Sequence, residues 1–196
     1  QLMCLCAIII TIDEKVEPWM IDTLKGIYEV YKSVGSITEE IFDTTNYFWQ
    51  HGSDQLNERP DILQSFIKIG ISEMQSRDAN ALMHSIQGCV FLQWIFINLI
   101  ATDSLKEYIP KIIEVCVNMT SDSQSDSEYT FKRPIILLIL IMLWYDDEAT
   151  SKVIYDLEKE FMIFSNILTI IRQVRYPFEH KVSILCLLDY LEKHNP

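Results

Sequence analysis

Glycine and proline are scarce in this sequence, with 5 and 6 residues respectively among 196. Folds built from β-strands need frequent turns, and such turns depend on glycine and proline. The scarcity therefore favours long helices over an all-β fold. Five glycines also leave little material for a phosphate-binding loop, and the sequence contains no glycine-rich motif of that kind.

Basic side chains are outnumbered, because 16 Lys and Arg residues face 28 Asp and Glu residues and the net charge is −12. A chain with this balance has little with which to neutralise phosphates, so we expect no direct binding of nucleic acid. The acidic balance favours a basic protein partner, or it only keeps an apolar chain in solution. Hydrophobic residues make up 49% of the chain, which indicates a folded protein.

Arrangements that carry chemistry are also missing. The sequence has no CxxC, HExxH or GxSxG motif, and none of its four histidines stands at ligand or catalytic spacing from a cysteine. We interpret His84, within a long apolar segment, as a packed histidine rather than a catalyst. The five cysteines lie in apolar runs and are expected to be buried thiols in a reducing compartment. We therefore predict no enzyme and no cofactor.

The longest apolar run follows Pro134 and reads IILLILIMLWY, from Ile135 to Tyr145. It is shorter than the ~20 apolar residues that cross a bilayer, so we predict a core helix and no membrane partner. The acids that follow it mark the return of the chain to water. The opening run LMCLCAIII has no basic leader, cleavage site or initiator Met, and we interpret the chain as a piece of a longer protein.

Apolar residues recur at helical spacing along almost the whole chain, with no convincing strand. The pattern predicts helices over 17–34, 37–50, from 60, over 79–101, from 104, over 132–146, over 148–173 with a break near Glu160, and over 178–193. Gly35 is predicted to end the first helix, and Pro60 to occupy a first helical position. The last helix carries one apolar stripe, made of Phe178, Val182, Leu185, Leu188 and Leu191.

Helix starts recur at a regular distance. Pro18, Pro60 and Ser104 are 42 and 44 positions apart, and Pro134 and Pro177 are 43 apart. A period of ~40–47 residues that covers two helices is typical of HEAT-type solenoids. We predict an all-α fold, an α-α superhelix of about four helical pairs, as one domain over 1–196 with an exposed loop at 121–130. The alternative is a globular helical bundle.

Two groups of residues are candidates for regulation or binding. Ser123 and Ser125 each precede an acid by three residues, the pattern that acidophilic kinases favour, although an inert flexible insert is the favoured interpretation. Acids that would offer a negative strip to a basic ligand cluster near helix ends. They are Glu39, Glu40, Asp43, Asp146, Asp147 and Glu148. The competing interpretation is that these are ordinary solvated helix ends.

The order of several segments resembles the late repeats of the importin-β family of nuclear transport receptors (karyopherins), most closely the importin-seven/eight type. Those segments contain Trp19, the turn Tyr108-Ile-Pro110, the run Trp144-Tyr-Asp-Asp-Glu148 and the helix Lys181-Val-Ser-Ile-Leu-Cys-Leu-Leu188. Each motif is short, and their order and spacing over most of the chain carry the resemblance.

This resemblance implies a receptor that shuttles between cytoplasm and nucleus. Its partners would be a basic protein cargo, such as ribosomal proteins or histones, and FG-repeat nucleoporins. Ran-GTP would bind only through parts absent from these 196 residues. The alternative function is a HEAT-type scaffold subunit of an unrelated complex, such as a phosphatase scaffold or a vesicle coat.

Overall fold

A computed structural model describes residues 6, 8, 9, 15–37, 39–77, 80–99, 103–122, 128–174 and 176–194. Within these ranges the regular structure is entirely helical, which confirms the all-α prediction. The helices are α1 (Pro18–Val34), α2 (Glu39–His51), α3 (Ser53–Asn57), α4 (Pro60–Met74), α5 (Ala81–Asn98), α6 (Asp103–Lys106), α7 (Ile109–Asp122), α8 (Glu128–Tyr145), α9 (Asp147–Asp156), α10 (Glu160–Gln173) and α11 (Pro177–His194). They form two compact units, Gln1–Leu105 and Lys106–Pro196. One continuous array over 1–196 stays a prediction.

Several helix ends lie where the sequence predicts them. Gly35 has a φ of 79°, and its amide donates to the Tyr31 carbonyl at 2.7 Å, which closes α1 in the left-handed conformation that glycine adopts without strain. Pro60 is the first residue of α4, where its missing amide hydrogen is not needed. The chain breaks between Asp156 and Glu160, at the predicted place.

Other boundaries differ from the predictions. Residues 53–57 form the short helix α3, between the predicted helix over 37–50 and the one from 60, and the helix predicted from Ser104 is divided into α6 and α7. The predicted loop at 121–130 is helical at 121–122 and again from Glu128, while 123–127 lie outside the described residues. Pro134 consequently sits inside α8 and not at its start. Burial of the whole run after it outweighs the ~3 kcal/mol that an interior proline costs.

In the first unit, α4 and α5 form a closely packed antiparallel pair. Gly70 on α4 lies against Leu92 on α5, whereas Met74, further along α4, accepts a hydrogen bond from the earlier residue Ser85. A side chain at Gly88 would place its Cβ 2.7 Å from the Gly70 carbonyl oxygen. Glycine at position 88 therefore allows the backbones of α4 and α5 to approach each other closely.

Helices of successive pairs in the first unit pack like against like, α1 on α4 and α2 on α5. Near the start of α1, Asp22 bonds Arg59 at 3.1 Å, and near its end Tyr31 reaches Ser72. The contacts join residues 37 and 41 positions apart, so α1 and α4 run parallel. Edge-on contacts of Trp49 with Phe66 and with Phe91 fill the core between α2, α4 and α5.

The second unit repeats this plan around α8, which packs against α7, α9, α10 and α11. Every residue from Pro134 to Leu143 is buried, which confirms the predicted core helix. Near the start of α8, Arg133 pairs with Glu179 at 3.4 Å. Just beyond the end of α8, Asp147 approaches Lys193, whose pKa is raised first by its hydrogen bond to Asp189 and to a smaller extent by the charge of Asp147. Both pairs are 46 positions apart, so α8 and α11 run parallel.

Each unit therefore holds two helical pairs in which equivalent helices stack in register, at offsets of about 40 residues. The contact of Ser121 with Met162, 41 positions apart, extends the pattern to α7 and α10. This is the arrangement of an α-α helical repeat, as predicted from the spacing of helix starts. Within the described ranges, none of the helices combines the length and the apolar character that crossing a bilayer requires.

Candidate functional site

The predicted acidic residues divide into two groups according to what they contact. Asp43 on α2 and Glu148 on α9 are exposed, and within the described residues neither forms an ion pair. Asp146 instead caps α9 by accepting a hydrogen bond from the Ala149 amide at 3.1 Å, and it pairs with Lys106 at 3.2 Å. Its carboxylate is largely committed to holding the second unit together.

The remaining predicted site residues add little to this description. Asp147 is half-buried and lies in the first turn of α9, where the helix dipole favours an acid. The side chains of Glu39 and Glu40, and the whole of Ser123 and Ser125, lie outside the described residues. Among the predicted acids whose side chains are described, Asp43 lies on α2, whereas Asp146, Asp147 and Glu148 lie at the start of α9.

No arrangement suited to metal binding is present among the described residues, where no three acidic, histidine or cysteine side chains gather. The four described cysteines, Cys6, Cys89, Cys116 and Cys186, are buried free thiols, as predicted. Burial raises the pKa of the Cys186 thiol to about 12 and raises that of Cys89 as well. Both thiols are therefore protonated at neutral pH, and a protonated thiol is a poor nucleophile.

Sequence patterns missed one polar contact, between Glu73 on α4 and His84 on α5. The His84 Nδ1 atom lies 2.6 Å from a Glu73 carboxylate oxygen, and the two side chains are 12% and 2% exposed. Glu73 is hidden because it lies within the buried stripe of α4, beside Met74 and one turn after Gly70. Hydrophobic periodicity does not predict that an acidic residue at such a position is buried.

The surroundings of the Glu73–His84 contact explain its role. Tyr31 of α1 approaches Glu73, and burial, followed by the negative charge of that carboxylate, raises the pKa of the phenol. Ser85 next to His84 bonds the Met74 carbonyl at 3.1 Å. Polar groups from three helices thus satisfy one another where α1, α4 and α5 meet. This network fixes the packing of the helices, and it confirms that His84 is a packed histidine.

A groove of about 290 Å³ runs between α1 and α4 in the first unit. Its floor consists of the buried side chains Leu24, Ile62 and Phe66, and Tyr28 forms one wall. Lys25, Glu29, Asp61 and Ser65 line its rim. An apolar floor with a charged rim suits a short peptide that inserts one apolar side chain.

Ion pairs connect the two helices beside this groove. Arg59 bonds Asp61 at 3.0 Å and Asp22 at 3.1 Å, which ties the start of α4 to α1. Hydrogen bonds from the Arg59 guanidinium lower the pKa of both carboxyl groups below their usual value. Both acids therefore stay ionised across the physiological range.

Comparison with known proteins adds no relative to this picture. No family model, no curated protein and no solved structure matches the chain. The features of the chain that bear on function are therefore the helical-pair repeat, the exposed acids and the groove.

Proposed function

We propose that the chain is part of a nuclear transport receptor of the importin-β type and that it holds a basic protein cargo. The stacking of like helices at offsets of about 40 residues supports the proposal, because a repeat of this kind presents one extended surface to a protein ligand. The ordered resemblance of Trp19, Trp144–Glu148 and Lys181–Leu188 supplies the family.

Charge supports the choice of a basic cargo. The chain carries a net charge of −12, and the exposed carboxylates of Asp43 and Glu148 have no cationic neighbour within the described residues. A lysine- and arginine-rich segment, such as those of ribosomal proteins or histones, supplies the missing counter-charges. Electrostatic complementarity of this kind sets specificity and association rate.

Binding of a basic ribosomal protein tests the proposal. We expect D43K and E148K each to weaken capture by about 3–10-fold at physiological salt, since each reversal removes one attraction and adds one repulsion. E58K is the matched control, because Glu58 is an exposed acid outside the predicted strip and the substitution changes the net charge equally. Equal binding by D43K, E148K and E58K would contradict a specific contribution of Asp43 and Glu148.

The resemblance also implies binding of FG nucleoporins. The groove between α1 and α4 is the candidate binding site for a phenylalanine side chain of an FG repeat. A phenylalanine ring would rest on Leu24, Ile62 and Phe66, with the Tyr28 ring beside it. We expect S65W to fill the groove and abolish binding of an FG-repeat peptide, because Ser65 lines the groove and is only half-buried.

S33W is the control for the groove substitution, since Ser33 is exposed on α1 and does not line the groove. An FG peptide that binds wild type, S33W and S65W equally would exclude the groove as the FG-binding site. The alternative scaffold function requires neither FG binding nor shuttling between cytoplasm and nucleus. A tagged chain that captures basic cargo but no FG peptide would therefore favour the scaffold.

A further inference from the structure

The last helix, α11, directs its most apolar side chains away from the unit to which it belongs. Ile184, Leu185, Leu188 and Leu191, called here the α11 stripe, are 38%, 54%, 57% and 50% exposed. The opposite side of α11 is the covered one, where Ser183 and Cys186 are 0% and 4% exposed. Three members of the predicted apolar stripe, Leu185, Leu188 and Leu191, lie on this face together with Ile184, and no described part of the chain covers it.

Comparison with α8 shows that this face has the character of a core. The 46-residue offset of Arg133 and Glu179 aligns the two parallel helices. It places the members of the α11 stripe opposite Leu138, Ile139, Met142 and Tyr145 of α8. All four of these α8 residues are buried. A face that is buried in one helix of the repeat is therefore left open in the next.

Two opposite charges stand at the ends of the α11 stripe. Lys181 precedes Ile184 by one turn, and Glu192 lies one turn after Leu188, so both fall on the same side of the helix as the stripe. Both side chains are exposed. They are 11 positions apart, about 16 Å along the axis, which is too far for them to pair within one chain.

We propose that the α11 stripe is the contact surface for a second copy of this chain, with the two α11 helices antiparallel across a two-fold axis. In this register Lys181 meets the partner's Glu192 at one end, and the same pair recurs at the other end. Leu185 then lies against the partner's Leu188 between them. A two-fold contact requires such self-complementarity.

The positions of the charges favour an antiparallel second copy over a parallel one and over a partner of uniform charge. Parallel packing of two copies would place Lys181 beside the partner's Lys181, and like charges in contact are unfavourable. A uniformly basic or acidic partner would be repelled at one end of the stripe. An antiparallel second copy satisfies both charges while covering all four aliphatic side chains. This inference does not depend on the proposed function.

Sedimentation velocity over a concentration series of the 196-residue chain tests the proposal. We expect a monomer–dimer equilibrium, and L188E should raise the dissociation constant by about 100-fold or more, since it places an acid at the centre of an apolar contact. L82E is the matched control, because Leu82 is 53% exposed but lies on α5 in the other unit. L82E should leave the equilibrium unchanged.

Charge exchange tests the antiparallel register. K181E and E192K should each weaken the homodimer by about 10-fold, because each creates two repulsive pairs. The double variant K181E/E192K should regain wild-type affinity, and an equimolar mixture of the two single variants should form a heterodimer of similar strength.

Three outcomes would overturn the proposal. If the chain stays monomeric at the highest concentration, the α11 stripe is not a homodimer interface, and another segment or another protein covers it. Association that is indifferent to L188E places the contact elsewhere. A double variant as weak as the single ones excludes the antiparallel register.

Discussion

Helices α8 and α11 lie side by side and parallel in the second unit, yet they are buried to very different degrees. α8 has neighbours on all sides, and its residues from Pro134 to Leu143 are buried. α11 offers Ser183 and Cys186 to its covered side and turns the α11 stripe outward. The apolar run of α8 extends from Ile135 to Tyr145 and that of α11 only from Ile184 to Leu188, and the two helices also differ in the number of helices packed around them.

The difference shows that position within a helical repeat decides how much an apolar residue contributes to stability. Burial of a leucine side chain is worth about 1.5–3 kcal/mol, but only where a neighbour removes it from water. Substitutions at matched positions of α8 and α11 measure this directly. They should be compared at chain concentrations low enough to keep the protein monomeric.

The largest effect is expected for L138A in α8. Leu138 is 0% exposed, so its truncation leaves a cavity and should lower the free energy of unfolding by about 2–5 kcal/mol. Urea denaturation followed by circular dichroism measures the change. A loss below about 1 kcal/mol would mean that α8 is less tightly enclosed than the structure shows.

An intermediate effect is expected for T150V, at the point where α9 meets the end of α8. The buried Thr150 hydroxyl donates to the Met142 carbonyl at 3.0 Å, and its removal should cost about 1 kcal/mol of unfolding free energy.

S183A in α11 is the matched control for T150V. The Ser183 hydroxyl is buried but has no hydrogen-bond partner among the described residues, so its removal should be neutral or stabilising. Thermal unfolding of T150V and S183A separates the two cases. Equal destabilisation by both variants would contradict the contact assigned to Thr150.

A smaller effect is expected for E179Q, which breaks the ion pair between α8 and α11. The Arg133 and Glu179 side chains are 25% and 20% exposed, so solvent screens the pair, and we expect a loss of about 0.5 kcal/mol. Arg133 keeps its contact with the Tyr176 ring, at 5.0 Å from its centre. Urea denaturation in low and high salt checks the change, and a loss above about 2 kcal/mol would make this pair the main attachment of α11.

The smallest effect is expected for L188A in the α11 stripe. Leu188 is 57% exposed in the monomer, so its truncation should change the free energy of unfolding by less than about 0.5 kcal/mol. A loss comparable to that of L138A would show that another part of the chain covers the stripe in solution. The same urea titration therefore tests both helices.

Sequence patterns predicted the parts of the fold that depend on local composition. The run after Pro134 is apolar in every direction, so its burial follows whichever way the helix is turned. Gly35 and Pro60 act through their own backbone geometry and were placed correctly. The spacing of helix starts predicted the stacking of like helices, because a constant repeat length brings equivalent residues together.

The parts that failed depend on neighbours that are distant in sequence. Periodicity tells which residues of α11 share a face, but it does not tell whether another helix covers that face. The contact between Glu73 and His84 is not predicted from the sequence, because the two residues belong to different helices and no fixed spacing relates them. For Asp146 the binding role stays a prediction, and the contacts of its carboxylate with the Ala149 amide and Lys106 could not be read from the sequence.

The burial of α8 by its neighbouring helices also has a consequence for folding during synthesis on the ribosome. α8 is complete at Tyr145, whereas α11, which covers one of its sides, is complete only at His194, 49 positions later. At about 5–20 residues per second, translation leaves α8 partly uncovered for roughly 2–10 s. Throughout that interval apolar side chains of α8 lack the cover that α11 provides, so the nascent chain should bind chaperones strongly until α11 emerges.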